Sequence, residues 1–143
     1  MDWASYLAVR MALWFSAVAV PLFPIVLRDD VDFAWNPTKF LYDVNQAGAF
    51  RDLMFVIVPV AVLSLSTSVD FFCRTFSQMT GRAASLTALA FIGNTVALIS
   101  GFVGFMRIPN GVILGSISSY SVFIVFALVF SIGTEIVVSR YHR

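Results

Sequence analysis

The sequence predicts an all-α membrane protein in which four transmembrane helices form an antiparallel bundle. Of the 143 residues, 59% are hydrophobic and only 12% are charged. Soluble domains are about 45–50% apolar and about 25% charged, and a domain of this size could not bury so much apolar surface. Four long apolar stretches are the second observation, because a hydrocarbon core of about 30 Å takes about 20 helical residues to cross. We therefore expect residues 1–143 to form one integral membrane domain.

The four predicted spans cover about residues 3–27, 53–72, 83–106 and 112–138. Charged residues or helix breakers bound each of them, as in the segment Arg107-Ile108-Pro109-Asn110-Gly111 between the last two. Backbone groups in lipid must hydrogen bond within their own segment, so the spans are predicted to be helices. The first stretch has no basic segment before it and is too long for a signal peptide, so it is predicted to be a retained helix.

A longer polar loop, residues 28–52, joins the first two spans. A short helix from Thr38 to Phe50 would share one apolar face among Phe40, Leu41, Val44 and Ala47. Such a helix suits the membrane surface, with Trp35 and Tyr42 at headgroup level, and a solvated loop is the equal alternative. Asp29, Asp30 and Asp32 lack the glycine and the distal Glu of a calcium loop, which favours a solvated acidic turn.

Three ionisable residues fall inside the predicted spans: Arg10, Asp70 and Glu135. Such residues are costly in lipid and usually face protein or a wet cavity. In an antiparallel bundle all three lie toward the same membrane face, with Arg10 ~10 Å in from Trp3. We expect Arg10 to pair with Asp70 or Glu135 and so to staple the bundle. Snorkelling to the interface and proton or ion conduction are the alternatives.

Other polar residues of the spans have two interpretations each. Asn94 lies near a bilayer midplane and is predicted to hydrogen bond between helices rather than to bind a substrate. Ser64, Thr67 and Ser68 are candidates to line a water-filled path, although serine and threonine hydroxyls also bond the carbonyl four residues earlier.

Small residues recur every four positions in the last two predicted spans. The third span has Gly93, Ala97 and Gly101, and the fourth has Gly111, Gly115 and Ser119. Such ridges let helix backbones approach closely in lipid. We expect the two ridges to pack against each other as a hairpin, or one of them to face a neighbouring subunit.

No catalytic or cofactor motif is present in the sequence. There is no Ser/His/Asp set, phosphate-binding glycine loop or HExxH sequence. Cys73 and His142 are the only cysteine and histidine, which excludes a bis-histidine haem and clustered zinc ligands. A net charge of +1 argues against a nucleic-acid partner. We therefore expect no enzyme activity, no cofactor and no bound metal.

The leading functional hypothesis is a small, non-catalytic membrane protein that acts through helix–helix assembly. Its partners would be the lipid bilayer and either further copies of itself or other membrane subunits. The alternative is a channel or membrane-permeabilising effector of the toxin, holin or phage-defence type, by analogy of build. A small-solute transporter is third, because no midplane charge or paired broken helices are seen. The basic residues of the loops divide almost evenly between the two sides, and we expect both termini in the cytoplasm of a bacterial inner membrane.

Overall fold

A computed structural model describes residues 2–32, 36–75 and 80–141 of the chain. The described residues form five α-helices and no strand: α1 (Trp3–Val26), α2 (Pro37–Gln46), α3 (Phe50–Thr75), α4 (Gly81–Arg107) and α5 (Ser118–Tyr141). Four of these, α1, α3, α4 and α5, are long and apolar enough to cross a membrane. The predictions of an all-helical chain and of four apolar helices long enough to span a membrane are confirmed for the described residues. These helices indicate an integral membrane protein.

Side-chain caps set where three of the helices begin. At α1, the carboxylate of Asp2 accepts a hydrogen bond from Ser5 N at 2.8 Å. At α2, the Asn36 side chain accepts from two backbone amides, and Pro37 follows at the first helical position. At α4, the hydroxyl of Thr80 accepts from Ala83 N at 3.3 Å. Each cap satisfies an amide that has no partner within its helix, and proline at the first position lacks such an amide.

Helix α3 is the centre of the packing and α1 is its most peripheral neighbour. α3 contacts all four other helices. In its most apolar stretch 56% of the residues are buried, whereas only 11% are buried in the corresponding stretch of α1. The backbone of α4 approaches α3 closely, since a Cβ added at Gly101 would lie 3.2 Å from Ile57 and one at Gly104 would lie 2.5 Å from Met54. Because so much of α1 faces outward, its few inward contacts must hold it to the other helices.

The predicted fourth span began too early. Helix α5 starts at Ser118, and the apolar residues 112–117 before it are not helical. Gly111 has a φ of 74°, in the left-handed region that favours glycine. Beyond it, Leu114 exchanges two hydrogen bonds with the side chain of Asn45, both 2.9 Å long. The backbone at Leu114 is therefore paired with α2 instead of with a helical turn.

The predicted ridge of Gly111, Gly115 and Ser119 is consequently wrong. Of these three residues only Ser119 lies in α5, and all three are exposed. Residues spaced by four lie on one face only within a helix, and the chain turns at Gly111 instead of continuing as a helix.

The loop between the first two spans contains the short helix α2, which ends at Gln46 rather than at Phe50. Gly48 stops it with a φ of 67°, and Phe50 already belongs to α3. Val44 and Asn45 of α2 are buried. The expected headgroup position of Trp35 lies outside the described residues.

Two of the three acidic residues before α2 are engaged in exposed ion pairs. Asp30 pairs with Arg28 at 3.0 Å and Asp32 with Lys39 at 2.9 Å. Within the described ranges, no cluster of three or more His, Cys, Asp or Glu side chains could hold a metal ion.

Candidate functional site

A buried polar layer joins all four long helices. It is formed by Arg10 of α1, Thr67 of α3, Asn94 of α4, and Thr134 and Glu135 of α5. Glu135 and Asn94 have no exposed surface, Thr134 is 1% exposed and Thr67 is 5% exposed. Uncompensated polar groups are expensive inside a membrane, so the contacts within this layer decide how the helices are arranged.

The strongest contact in the polar layer is an ion pair between the first and last helices. Arg10 Nε donates to Glu135 Oε2 at 2.7 Å, and Arg10 Nη2 donates to Oε1 at 3.2 Å. The same Nη2 also donates to the hydroxyl of Thr67, which lies 3.3 Å from Glu135 Oε1. A two-point guanidinium–carboxylate contact fixes orientation as well as distance. It therefore defines how α1 is placed against α5 and α3.

Asp70 takes no part in this ion pair. Its carboxylate accepts from Arg74 Nε at 2.8 Å, one helical turn along α3, and the two side chains are 58% and 72% exposed. Of the two carboxylates that the sequence offered to Arg10, the structure places Glu135 beside it and leaves Asp70 on the surface.

A second polar contact joins α1 to α5 one helical turn away. Trp14 Nε1 donates to the hydroxyl of Ser131 at 2.8 Å, and both residues are buried. Trp14 follows Arg10 by four residues, whereas Ser131 precedes Glu135 by four. The two contacts are therefore successive rungs between the same two helix faces, and together they resist both sliding and rotation of α1.

Asn94 connects α4 to the same part of α5. Its amide Nδ2 donates to Thr134 Oγ1 at 2.7 Å and to the carbonyl of Ala90 at 2.8 Å. Its Oδ1 has no hydrogen-bond partner among the described residues. This geometry is that of an interhelical hydrogen bond, since the side chain is directed at the neighbouring helix and is fully buried.

The candidates for a water-filled path lie inside the bundle. Ser64 and Ser68 are 0% and 1% exposed, and Thr67 is 5% exposed. Ser68 donates to the carbonyl of Ser64, and Thr67 to that of Leu63, both at 2.9 Å. The Ser64 hydroxyl makes no hydrogen bond within the described ranges. Thr67 therefore belongs to the network of the ion pair and Ser68 bonds within its own helix, although Ser68 also lines a mostly apolar surface cavity of about 410 Å³ between α3 and α4.

The small residues of α4 pack against the chain itself. A Cβ added at Gly93 would overlap the ring of Phe130 on α5, and Gly101 faces Ile57 and Val58 on α3. Ala97 between them is 1% exposed. This ridge is thus used within the chain and is not free for a neighbouring subunit.

Sequence reasoning named Glu135 as one of two candidate partners for Arg10, but it missed Ser131 and Thr134 on α5. Ser131, Glu135 and Ser139 are spaced by four residues and are all completely buried. That spacing is visible in the sequence and marks a polar stripe along one helix face. The stripe marks Glu135 as one candidate, but Ser66, Asp70 and Arg74 repeat at the same spacing on α3, so spacing alone does not choose between the two carboxylates.

Comparisons of this chain with family models, with curated proteins and with solved structures found no match.

Proposed function

We propose that this chain is a non-catalytic, multi-pass membrane protein that acts through helix–helix assembly, as a homo-oligomer or as an accessory subunit of a larger membrane complex. In this proposal the four long helices cross the bilayer in alternating directions and α2 lies along the membrane surface. The membrane is the bacterial inner membrane, with both termini in the cytoplasm.

The polar layer supports this proposal because its charged groups are buried and already paired with each other. Glu135 is fully buried, and the side chain of its partner Arg10 is only 16% exposed. A carboxylate in that position cannot reach a substrate dissolved in water, and its charge is already matched by a guanidinium. The interior of the bundle is therefore occupied with holding the helices together, which leaves the outer surface as the place of function.

The observation that carries the proposal is a ridge of small residues on the outer face of α1. It consists of Ala4, Ala8, Ala12 and Ser16, which are spaced by four residues and are all exposed. We call it the α1 ridge. In lipid, small residues at this spacing let a second helix approach closely, where van der Waals packing and weak hydrogen bonds can accumulate. Larger side chains such as Val9, Leu13 and Phe15 flank the α1 ridge and are also exposed.

A cavity that is open to a helix from outside lies between α4 and α5. A surface cavity of about 190 Å³ there has Ala90 and Gly133 among its lining residues. A Cβ added at Gly133 would meet no atom within 4 Å. Unlike Gly93, Gly133 is therefore not filled by this chain's own side chains, and the space is open to a helix from outside.

The test is the assembly mass of the parent and of a variant that fills the α1 ridge. Ala8→Leu with Ala12→Leu adds two branched side chains to the ridge, while Val9→Leu is a matched control on the same exposed helix. In a mild detergent the parent should have the mass of several copies, or carry a co-purifying chain. The ridge variant should lose that association and the control should keep it.

Two results would contradict the proposal. One is a parent that is a clean monomer with no associated chain. The other is a ridge variant that assembles as the parent does.

The channel or permeabilising effector has less support. That alternative requires Ser64, Thr67 and Ser68 to line a path between subunits, and each of them is at most 5% exposed. A membrane-potential dye during induced expression separates the two functions, because assembly without a pore leaves the potential unchanged.

A further inference from the structure

A crevice opens where the end of α1 faces the start of α3 and the end of α4. Its volume is about 430 Å³. The walls are apolar and consist of Pro21, Pro24 and Ile25 of α1, Phe55 of α3, and Phe105 of α4. Two charged residues, Arg28 and Asp52, line the same crevice. It thus combines an apolar interior with charges of both signs.

The position of these charges matches the headgroup level of a bilayer. Arg28 comes two residues after α1 ends, and Asp52 lies in the first turn of α3. The apolar walls belong to the adjoining turns of the apolar helices. A molecule in this crevice would therefore have an apolar part at the depth of lipid chains and a polar part at the depth of lipid headgroups.

Arg28 has donor capacity left for an anion. Its Nε and Nη2 donate to Asp30, at 3.0 and 3.1 Å, and Nη2 also donates to the carbonyl of Ala47. No described residue accepts a hydrogen bond from Nη1. The hydrogen bond to Asp30 raises the pKa of Arg28, burial opposes this, and the charge of Asp52 adds a smaller increase. The guanidinium is therefore charged, held in place and open on one side.

A second guanidinium lies beside the crevice. Arg51 stacks on the ring of Phe105, with 4.2 Å from its central carbon to the ring centroid, and its Nε donates to the Phe105 carbonyl at 3.0 Å. Its two terminal nitrogens have no acceptor among the described residues. Arg51 is thus a second guanidinium with free donors, next to the Phe105 wall of the crevice, and guanidinium is well suited to bind phosphate.

Asp52 supplies a negative charge at the same crevice. Its side chain is exposed and makes no hydrogen bond or ion pair with any described residue. Arg28 and Arg51 are balanced in charge by Asp30 and Asp52. A net-neutral headgroup that carries both a phosphate and a cation therefore complements this surface better than an anionic headgroup does.

We propose that this crevice binds a phospholipid whose headgroup ends in a primary ammonium, as in phosphatidylethanolamine. One acyl chain occupies the apolar crevice, the phosphate contacts Arg28 and Arg51, and the ammonium donates to the Asp52 carboxylate. A choline headgroup has no N–H to donate, and a glycerol headgroup lacks the cation. The site is independent of the assembly proposed above.

The experiment is retention of defined lipids by the purified full-length protein, measured by mass spectrometry of the intact complex. The probes are phosphatidylethanolamine, phosphatidylcholine and phosphatidylglycerol with identical acyl chains. We expect ethanolamine lipid to be retained about tenfold better than the other two, the ratio that one charge-assisted hydrogen bond gives. Asp52→Asn should reduce this preference to near unity, and Arg28→Gln should weaken retention of all three.

Asp70→Asn is the matched control, because Asp70 is an exposed carboxylate near the other end of α3 and should have no effect. A series of ethanolamine lipids with one, two and three N-methyl groups tests the same contact on the unaltered protein. Retention should fall most at the third methyl group, where the last N–H is lost. Equal retention of the three lipid classes by the parent, or an unchanged preference in a folded Asp52→Asn protein, would overturn the proposal.

Discussion

Glu135 of α5 accepts a hydrogen bond at 2.7 Å from Arg10 of α1, a residue 125 positions earlier in the chain. Glu135 has no exposed surface, so Arg10 is the group that compensates its charge. Because α1 is otherwise the least buried of the long helices, this pair and the neighbouring Trp14–Ser131 contact are the main polar links between α1 and α5. The pair therefore fixes α1 against α5, and substitutions in it test whether the fold depends on this contact.

Arg10→Leu should destabilise the protein strongly, by about 3–5 kcal/mol, because it leaves the Glu135 carboxylate buried without a counterion. The free energy of unfolding in mixed micelles measures this effect. Arg74→Leu is the control, since it removes an exposed pair with Asp70 and should cost less than about 1 kcal/mol. Equal unfolding of Arg10→Leu and the parent would show that the ion pair does not hold the bundle.

Replacing both partners should recover most of the stability that either single substitution loses. Arg10→Met with Glu135→Leu removes the two charges together, and apolar side chains of similar volume need no compensation in lipid. A double-mutant cycle of unfolding free energies gives the coupling between the two positions. A double variant less stable than both single variants would mean that the pair does not act as a unit. If the double variant also assembles normally, the role of the pair is structural.

Gly93 and Gly133 should respond oppositely to the same substitution. Gly93→Ala introduces a Cβ that overlaps the Phe130 ring, and overpacking of this kind costs about 1–3 kcal/mol. Gly133→Ala meets no atom within 4 Å of its new Cβ, so the unfolding free energy of the single chain should stay the same or rise by up to about 1 kcal/mol, as expected from helix propensity. Adding Phe130→Leu to Gly93→Ala should restore stability. A neutral Gly93→Ala alone would contradict the close approach of α4 to α5.

The sequence predicted the long apolar helices better than it predicted the residue at which α5 begins. Apolar length and composition sufficed for four spanning helices, because the bilayer imposes one minimum length on all of them. They failed at the start of α5, because residues 112–117 are as apolar as a span. Apolarity alone does not distinguish a helix from a non-helical segment whose backbone is paired with α2 at one residue. The left-handed turn at Gly111 and the partner that Leu114 finds in Asn45 are properties of three-dimensional contact.

The charged residues and the asparagine of the polar layer were predictable from the sequence, whereas Thr134 and the pairing within the layer were not. Arg10, Asn94 and Glu135 stand out in the sequence because polar groups inside spans are rare. Which carboxylate meets Arg10 depends on the rotation of α3 and α5 about their axes, and spacing along one helix does not fix that. Trp14 was missed because its indole looks apolar in a sequence, although its N–H needs an acceptor when buried.

Asn45→Ala should release the segment before α5. Asn45 is 4% exposed and supplies both of the hydrogen bonds that hold Leu114, so alanine leaves that backbone unpaired. Hydrogen exchange at Leu114 should become faster, by about tenfold for each 1.4 kcal/mol of lost protection. Exchange within α4 should be unchanged, which serves as the internal control. Unaltered protection at Leu114 would mean that other contacts order this segment.

The Arg28–Asp30 pair should make the local structure sensitive to acid only. The hydrogen bond from Arg28 lowers the pKa of Asp30 below its ordinary value of 3.8. A carboxylate with a lowered pKa contributes its stabilisation above the ordinary value and loses it as the pH falls through the lower, folded value. Arg28 also donates to the Ala47 carbonyl, so release of Asp30 should be felt there.

The carbonyl carbon chemical shift of Ala47 reports this contact. It should stay constant at neutral pH and change only below about pH 4, since no proton binds Asp30 before then. In Asp30→Asn the acid step should disappear, because the titrating group is gone. Asp43→Asn is the control, and it should leave the step in place, since Asp43 does not contact Arg28. A step centred between about pH 5 and about pH 8 would contradict a lowered pKa, because the carboxylate would then bind its proton more readily in the folded protein than in the unfolded one.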